Sequence, residues 1–163
     1  MTGAGRRYSR LLRWCLALLL VLAPLVLNAA PALALSAAAP VANPSKAGAA
    51  ASYTVATTLG AGAGLSQGVD TISITFPGGT TVPSSISRLS VSVGLTSLTV
   101  DPSVSGLTVT MLTPVNINGG DTASIVFSQI AGIKNTKLSG TTYTAQVATS
   151  KEAAVTSAAF TII

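Results

Sequence analysis

GVDTISITF (residues 68–76) and GGDTASIVF (residues 119–127) follow one pattern, Gly-x-Asp-Thr-x-Ser-Ile-x-Phe. After each Asp, apolar residues occupy every second position: Ile72, Ile74 and Phe76 in the first copy, Ala123, Ile125 and Phe127 in the second. Successive side chains of a strand point to opposite faces, so both copies predict strands with one apolar face and one face rich in hydroxyls. The leading Gly frees the backbone for positive φ, and an Asp carboxylate can accept a bond from a backbone N–H close after it. Asp70 and Asp121 therefore read as caps on two turns that lead into analogous strands. The alternative is a weak calcium site near Asp70, Asp101 or Asp121. No second carboxylate lies within several residues of any of the three and a D-x-D spacing is missing, so most of its oxygen ligands would have to be carbonyls and waters.

The same period of two extends along the chain. Tyr53, Val55 and Leu59 share one parity, as do Leu89, Val91 and Val93, then Leu107, Val109 and Met111, then Tyr143, Ala145 and Val147, and finally Phe160 and Ile162. Turn formers separate these runs: GAGAG at 60–64, PGG at 77–79, VPSS at 82–85, DPSVSG at 101–106 and NGG at 118–120. No stretch sustains a helical period. The expectation is an all-β domain over residues 51–163, an antiparallel immunoglobulin-like β-sandwich of about seven to nine strands. The Cys and Trp of antibody domains are missing, so only the architecture carries over.

A second echo bears on domain count. Asn43, Gly48 and Tyr53-Thr54 are matched by Asn135, Gly140 and Tyr143-Thr144, but the Tyr element precedes the Asp element in the first half and follows it in the second. A tandem duplication would keep the order. The echoes read as similar strand beginnings within one fold.

The formal charge of +5 invites a nucleic-acid reading until the nine cations are located. Arg6, Arg7, Arg10 and Arg13 precede the apolar run WCLALLLVLAPLVL (residues 14–27), which is short for a bilayer span and broken by Pro24. Ala32-Leu33-Ala34 then fits the A-x-A cleavage rule, and residues 1–34 read as a helical secretory signal peptide. Ser9 and the Leu-rich core argue against twin-arginine export, and Leu12-Arg13-Trp14 before Cys15 is no lipobox; an uncleaved membrane anchor is the alternative. Residues 35–50, rich in Ala and Pro, read as a tether and the approach to the fold. The mature chain keeps five cations (Lys46, Arg88, Lys134, Lys137, Lys151) against four anions (Asp70, Asp101, Asp121, Glu152), a net +1 with no phosphate-binding footprint.

Beyond residue 34 the chain has no Cys, His or Trp, which excludes disulfides, thiolate chemistry and His-based metal sites. Ser and Thr are plentiful, yet no base or Ser-x-x-Lys stretch singles out a nucleophile, and no carboxylates pair locally as a glycosidase needs. No residue is assigned as catalytic, cofactor-binding or metal-ligating. Lys134, Lys137 and Lys151, with Glu152, could form a small basic patch for an acidic wall polymer; charges near turns and edges more often discourage strand pairing. Tyr53, Phe76, Phe127, Tyr143 and Phe160 share parity with inward aliphatics and read as core, which leaves a sugar-binding role to the loops. Asn43 is followed by Pro44 and offers no glycosylation acceptor.

The runs ITFPGGTTVPSSISRLSVSV, AGIKNTKLSGTTYTAQVATSKEAAVTSAAFTI and NPSKAGAAASYTV together resemble a repeated module of large bacterial surface proteins of the Gram-positive type, often found beside S-layer-homology or adhesion domains. The resemblance covers residues 41–163 through FPxGTxVP, AGIxN and YTxxVxTSxE, with Thr136 where the module usually carries Pro, and the chain reads as a single copy. It implies an immunoglobulin-like sandwich with a structural or adhesive role and no catalytic residues. The expected protein is thus secreted and associated with the cell surface. Its expected partners are envelope proteins or polysaccharide, with no nucleic acid and with membrane only through the signal peptide before cleavage. Two alternatives stand beside it: a glycan- or wall-polymer-binding module using its loops, and a filament subunit in which LSAAAPVANP or AAFTII adds to the sheet edge of a neighbour.

Overall fold

The computed structural model describes residues 34–87 and 89–163; the leader read over residues 1–34 lies outside the described residues but for Ala34, as does Arg88. In chain order the strands are β1 (Ser36–Ala37), β2 (Val41–Asn43), β3 (Ser52–Thr58), β4 (Thr71–Thr75), β5 (Leu89–Val93), β6 (Thr96–Val100), β7 (Ser103–Ser105), β8 (Thr108–Leu112), β9 (Thr122–Phe127), β10 (Gly140–Tyr143), β11 (Gln146–Thr149), β12 (Val155–Thr156) and β13 (Phe160–Ile162). Among the described residues a 3-10 turn, Gln129–Ala131, follows β9. Every pairing is antiparallel. One six-stranded sheet runs β1-β3-β9-β5-β6 with β2 also on β3, a five-stranded sheet runs β12-β11-β4-β8-β7, and β10 pairs with β13. The fold is all-β, as the alternation predicts.

The two copies of the opening motif become β4 and β9, one in each large sheet. Their apolar parity is buried in both: Ile72, Ile74 and Phe76 on one side, Ala123, Ile125 and Phe127 on the other. The Phe76 and Phe127 rings meet edge to face at 5.2 Å, and Tyr53 of β3 meets Phe76 at 5.1 Å. The inward residues of the two sheets thus share one core, and the paired motifs touch at its aromatic end. Burying each large apolar side chain there contributes about 1.5–3 kcal/mol. Cross-strand hydroxyl pairs line the other face of the five-stranded sheet, Ser73 with Thr110 at 2.9 Å and Thr75 with Thr108 at 2.8 Å.

Two hairpins use the same turn chemistry. Gly94-Leu95 joins Val93 to its partner Thr96, and Gly106-Leu107 joins Ser105 to Thr108. Gly94 at φ 57° and Gly106 at φ 59° supply the left-handed residue that two-residue hairpin loops require.

Several details differ from the sequence expectation. Within residues 51–163 eleven strands appear in place of about seven to nine, because short segments of two to four residues also pair. DPSVSG is not one turn: Ser103–Ser105 is strand β7, and only Gly106 belongs to the bend. β6 escapes the alternation altogether, because four of its five residues are exposed and no inward parity is visible. Residues 36–43 are not a free tether. Ser36 and Ala37 pair with Thr58 and Thr57, and Val41–Asn43 pairs with Ser52–Thr54. The backbone groups on the outer edge of β3 need partners, and this segment supplies them. The segment AAFTII is likewise engaged, since Phe160 and Ile162 pair with Tyr143 and Gly140. Of the aromatics expected in the core, Tyr53, Phe76, Phe127 and Phe160 are buried, and Tyr143 is half-buried with its phenol donating to the Leu138 carbonyl at 2.8 Å.

Candidate functional site

Strand β3 has a polar cluster at each end. Ala50, just before it, bridges to Lys134, whereas Gly60, just after it, donates to Glu152. Seven strand residues at about 3.3 Å each put the two clusters on the order of 25 Å apart.

The cluster at the start of β3 centres on Asn135, which is 1% exposed. Its Oδ1 accepts the Tyr53 phenol proton at 2.5 Å, and its Nδ2 donates to the carbonyls of Pro44 at 2.9 Å and Lys46 at 2.8 Å. The Asn135 backbone N–H donates to Ala49 at 2.9 Å. The amide thus uses its acceptor and both donors, which is what permits a polar side chain to sit in a core. Burial pushes the Tyr53 phenol up to about 12. In the sequence AGIKN stands only as a motif, and the signal for the Asn135 role is the matched spacing of Asn135 and Tyr143 with Asn43 and Tyr53.

The cluster at the far end is built on carboxylates. Asp70 accepts the Ser66 N–H at 2.8 Å and the Ser150 hydroxyl at 2.7 Å, and lies 3.6 Å from the Lys151 ammonium. The Ser66 N–H first, then the Ser150 hydroxyl, and after them the Lys151 charge, hold its carboxyl below the ordinary range against the opposing effect of burial. Thr113 closes the same loop, its hydroxyl donating to the carbonyls of Ser66 at 2.7 Å and Asp70 at 3.1 Å. Asp121 is a more local device: its Oδ2 accepts from the Asn118 backbone N–H at 3.2 Å and side-chain amide at 3.1 Å.

Both aspartates therefore cap turns ahead of their strands, but with donors opposite to those the sequence suggests. The N–H groups belong to residues before the Asp, Ser66 and Asn118, because each loop closes back on its own beginning. Gly119 has a separate reason to be Gly: a Cβ there would stand 2.1 Å from the Ala61 carbonyl oxygen.

By sequence Glu152 is only a companion of the lysines. It accepts the Leu35 N–H at 2.8 Å and the Gly60 N–H at 3.2 and 3.3 Å on its two oxygens. The alternative reading of Lys134 and Lys151 as one basic patch does not hold. Lys134 exchanges backbone hydrogen bonds with Thr81 and bridges Ala50 at one end of β3, while Lys151 and Glu152 stand at the other, with Lys151 facing Asp70. Local sequence cannot reveal this, since the separation arises from pairings between residues far apart in the chain. Among the described residues no three His, Cys, Asp or Glu side chains come together that could hold a metal ion, and Asp101 lies exposed in the link from β6 to β7. Among the described residues no helix is long and apolar enough to cross a membrane. Comparisons with protein-family models, with curated proteins and with solved structures each find no match to this chain.

Proposed function

We propose that this chain is an exported, non-enzymatic structural or adhesive module of a bacterial cell envelope, delivered by a signal peptide over residues 1–34 and folded as an immunoglobulin-like β-sandwich. The observation that carries the reading is how the side chains with chemical potential are used: Asn135, Asp70 and Glu152 hold backbone groups of distant loops, and the aromatic rings interleave in the core. A domain organised this way resists unfolding at the surface of a cell. The route from β6 to β7 through Asp101-Pro102, which leaves one sheet for the other, is in keeping with sandwich topology. The test is fractionation of cells that express the full chain, with mature protein expected in the envelope and medium. Retention inside the cell, or a hydrolytic activity abolished by one Ser or Asp substitution, overturns the proposal. A pull-down on purified envelope polysaccharides separates this role from glycan binding through the loops.

A second reading, self-assembly by strand addition, is favoured by β6. Thr96–Val100 forms an edge of the six-stranded sheet, carries no charged residue, and leaves Leu98 42% exposed beside Leu95 at the hairpin tip. Uncharged edges of this length template pairing with another chain. Light scattering at rising concentration is expected to show association that Leu98→Lys removes; a monomer at every concentration sinks this reading.

A further inference from the structure

Leu35 is held in a way that a chain running through it does not require. Its side chain is 6% exposed within the core, and its nitrogen lies 2.8 Å from Glu152 Oε1. The residues that follow are clamped: Ser36 pairs with Thr58 and accepts the Thr57 hydroxyl at 2.8 Å, and the Ala38 N–H donates to Ala56 at 3.0 Å. Glu152 is itself fixed, since its N–H donates to the Thr149 hydroxyl at 3.0 Å and its carbonyl accepts the Thr149 N–H at 3.1 Å. Ala34, immediately before this seat, is exposed and ends the A-x-A sequence.

We propose that Glu152 is a preformed seat for the amino terminus that leader removal creates, so that processing after Ala34 adds an ion pair to the fold. The inference rests on the export reading above. A signal peptidase adds water across the Ala34–Leu35 peptide bond: the C–N bond breaks, the water oxygen joins the Ala34 carbonyl carbon, which leaves with the leader as a carboxylate, and both water protons pass to the Leu35 nitrogen, which becomes an α-ammonium. Before the cut, Glu152 accepts a neutral amide N–H from Leu35. After it, the same oxygen faces a full positive charge, and charge-assisted bonds of this kind are roughly twice as strong as neutral ones. The Gly60 N–H holds the carboxylate from the other side. Glu152 is the charged group at the seat: β1, β3 and β12 carry none, Lys151 pairs with Asp70, and the Asp121 carboxylate is taken by Asn118. Termini are ordinarily loose unless tied down, and this one is tied by side chain, strand pairing and charge together.

The experiment uses protein exported from the full chain by a secreting host. Its N-terminal sequence is expected to begin at Leu35. NMR titration of the α-amine is expected to give a pKa about one unit higher in the folded protein than in the same protein unfolded in urea, where the ordinary range is about 7.7–8.0. Glu152→Gln, which keeps an acceptor oxygen, is expected to return the folded value to the unfolded one. Because the folded value is raised, the added stability is complete below the unfolded pKa and is lost as pH rises through the folded pKa. Equal folded and unfolded values in a chain beginning at Leu35 overturn the seat itself. A different first residue overturns its cleavage premise, and a chain that stays in the cell with its leader attached overturns the export reading as well.

Discussion

The two ends of β3 solve the same problem with different chemistry. At the Tyr53 end, loops 44–50 and 133–136 are joined through a neutral amide and a neutral phenol, buried beside Phe76 and Phe127. At the Gly60 end, loops 60–70 and 149–152 are joined through two carboxylates, Asp70 and Glu152, that accept backbone and hydroxyl protons. The first arrangement is indifferent to acid, and the second responds to it through Asp70. A hydrogen bond to an ionised acceptor is strong in partial contact with water, whereas a neutral network needs a dry core to matter. The aromatic rings of Tyr53, Phe76, Phe127 and Phe160 cluster at the Tyr53 end, whereas the aliphatic Leu59, Leu65 and Ile117 pack the Gly60 end.

The largest effect that would test this contrast is Phe127→Ala. The side chain is fully buried, and its loss is expected to cost about 4 kcal/mol in denaturant unfolding, the same at pH 4 and pH 7. Asn135→Ala comes next. It leaves the Tyr53 phenol and two loop carbonyls without their partner, for about 3 kcal/mol, again independent of acid. If either loss changes between pH 4 and pH 7, the Tyr53 end is not the neutral anchor described.

Tyr53→Phe sharpens the comparison from the alkaline side and is expected to cost about 1–2 kcal/mol near neutrality. The Tyr53 phenol is raised from 10.0 to about 12, so its proton favours the folded state. That contribution is intact below pH 10 and disappears as pH climbs toward 12, a step that Tyr53→Phe should abolish. Asp70→Asn probes the opposite end. Because the Asp70 carboxyl is lowered from 3.8, its contribution is present above that value and is lost as pH falls below it. The wild type should therefore weaken in acid through this range while the variant, less stable at pH 7, stays flat. Asp121→Asn is expected to be the mildest, within about 0.5 kcal/mol, since the Asp121 carboxylate bonds to Asn118 within its own turn.

What the sequence made legible was whatever repeats every second residue. Tyr53, Val55, Ile72, Ile74, Ile125 and Phe127 announce β3, β4 and β9 because each of these strands has one covered face and one open face. Strand β6 has no such contrast, and β7 hides behind Pro102 and Gly106, so neither leaves a pattern to read. The strands of residues 36–43 form because β3 has an edge to fill, not because Ala and Pro favour extension. The repeated Asp was legible as a turn device. The roles of Asn135 and Glu152 were not, since each joins segments roughly 80 residues or more away in sequence.

The register of β3 against β9 places Tyr53 opposite Phe127 and Thr58 opposite Thr122. As the chain is made amino end first, β3 (Ser52–Thr58) must wait until β9 (Thr122–Phe127) has appeared before these two strands can meet. Until then one long border of β3 stays without its mate, and closure over such a span is slow. Lateness of this kind leaves the nascent polypeptide pliable until its later strands are at hand.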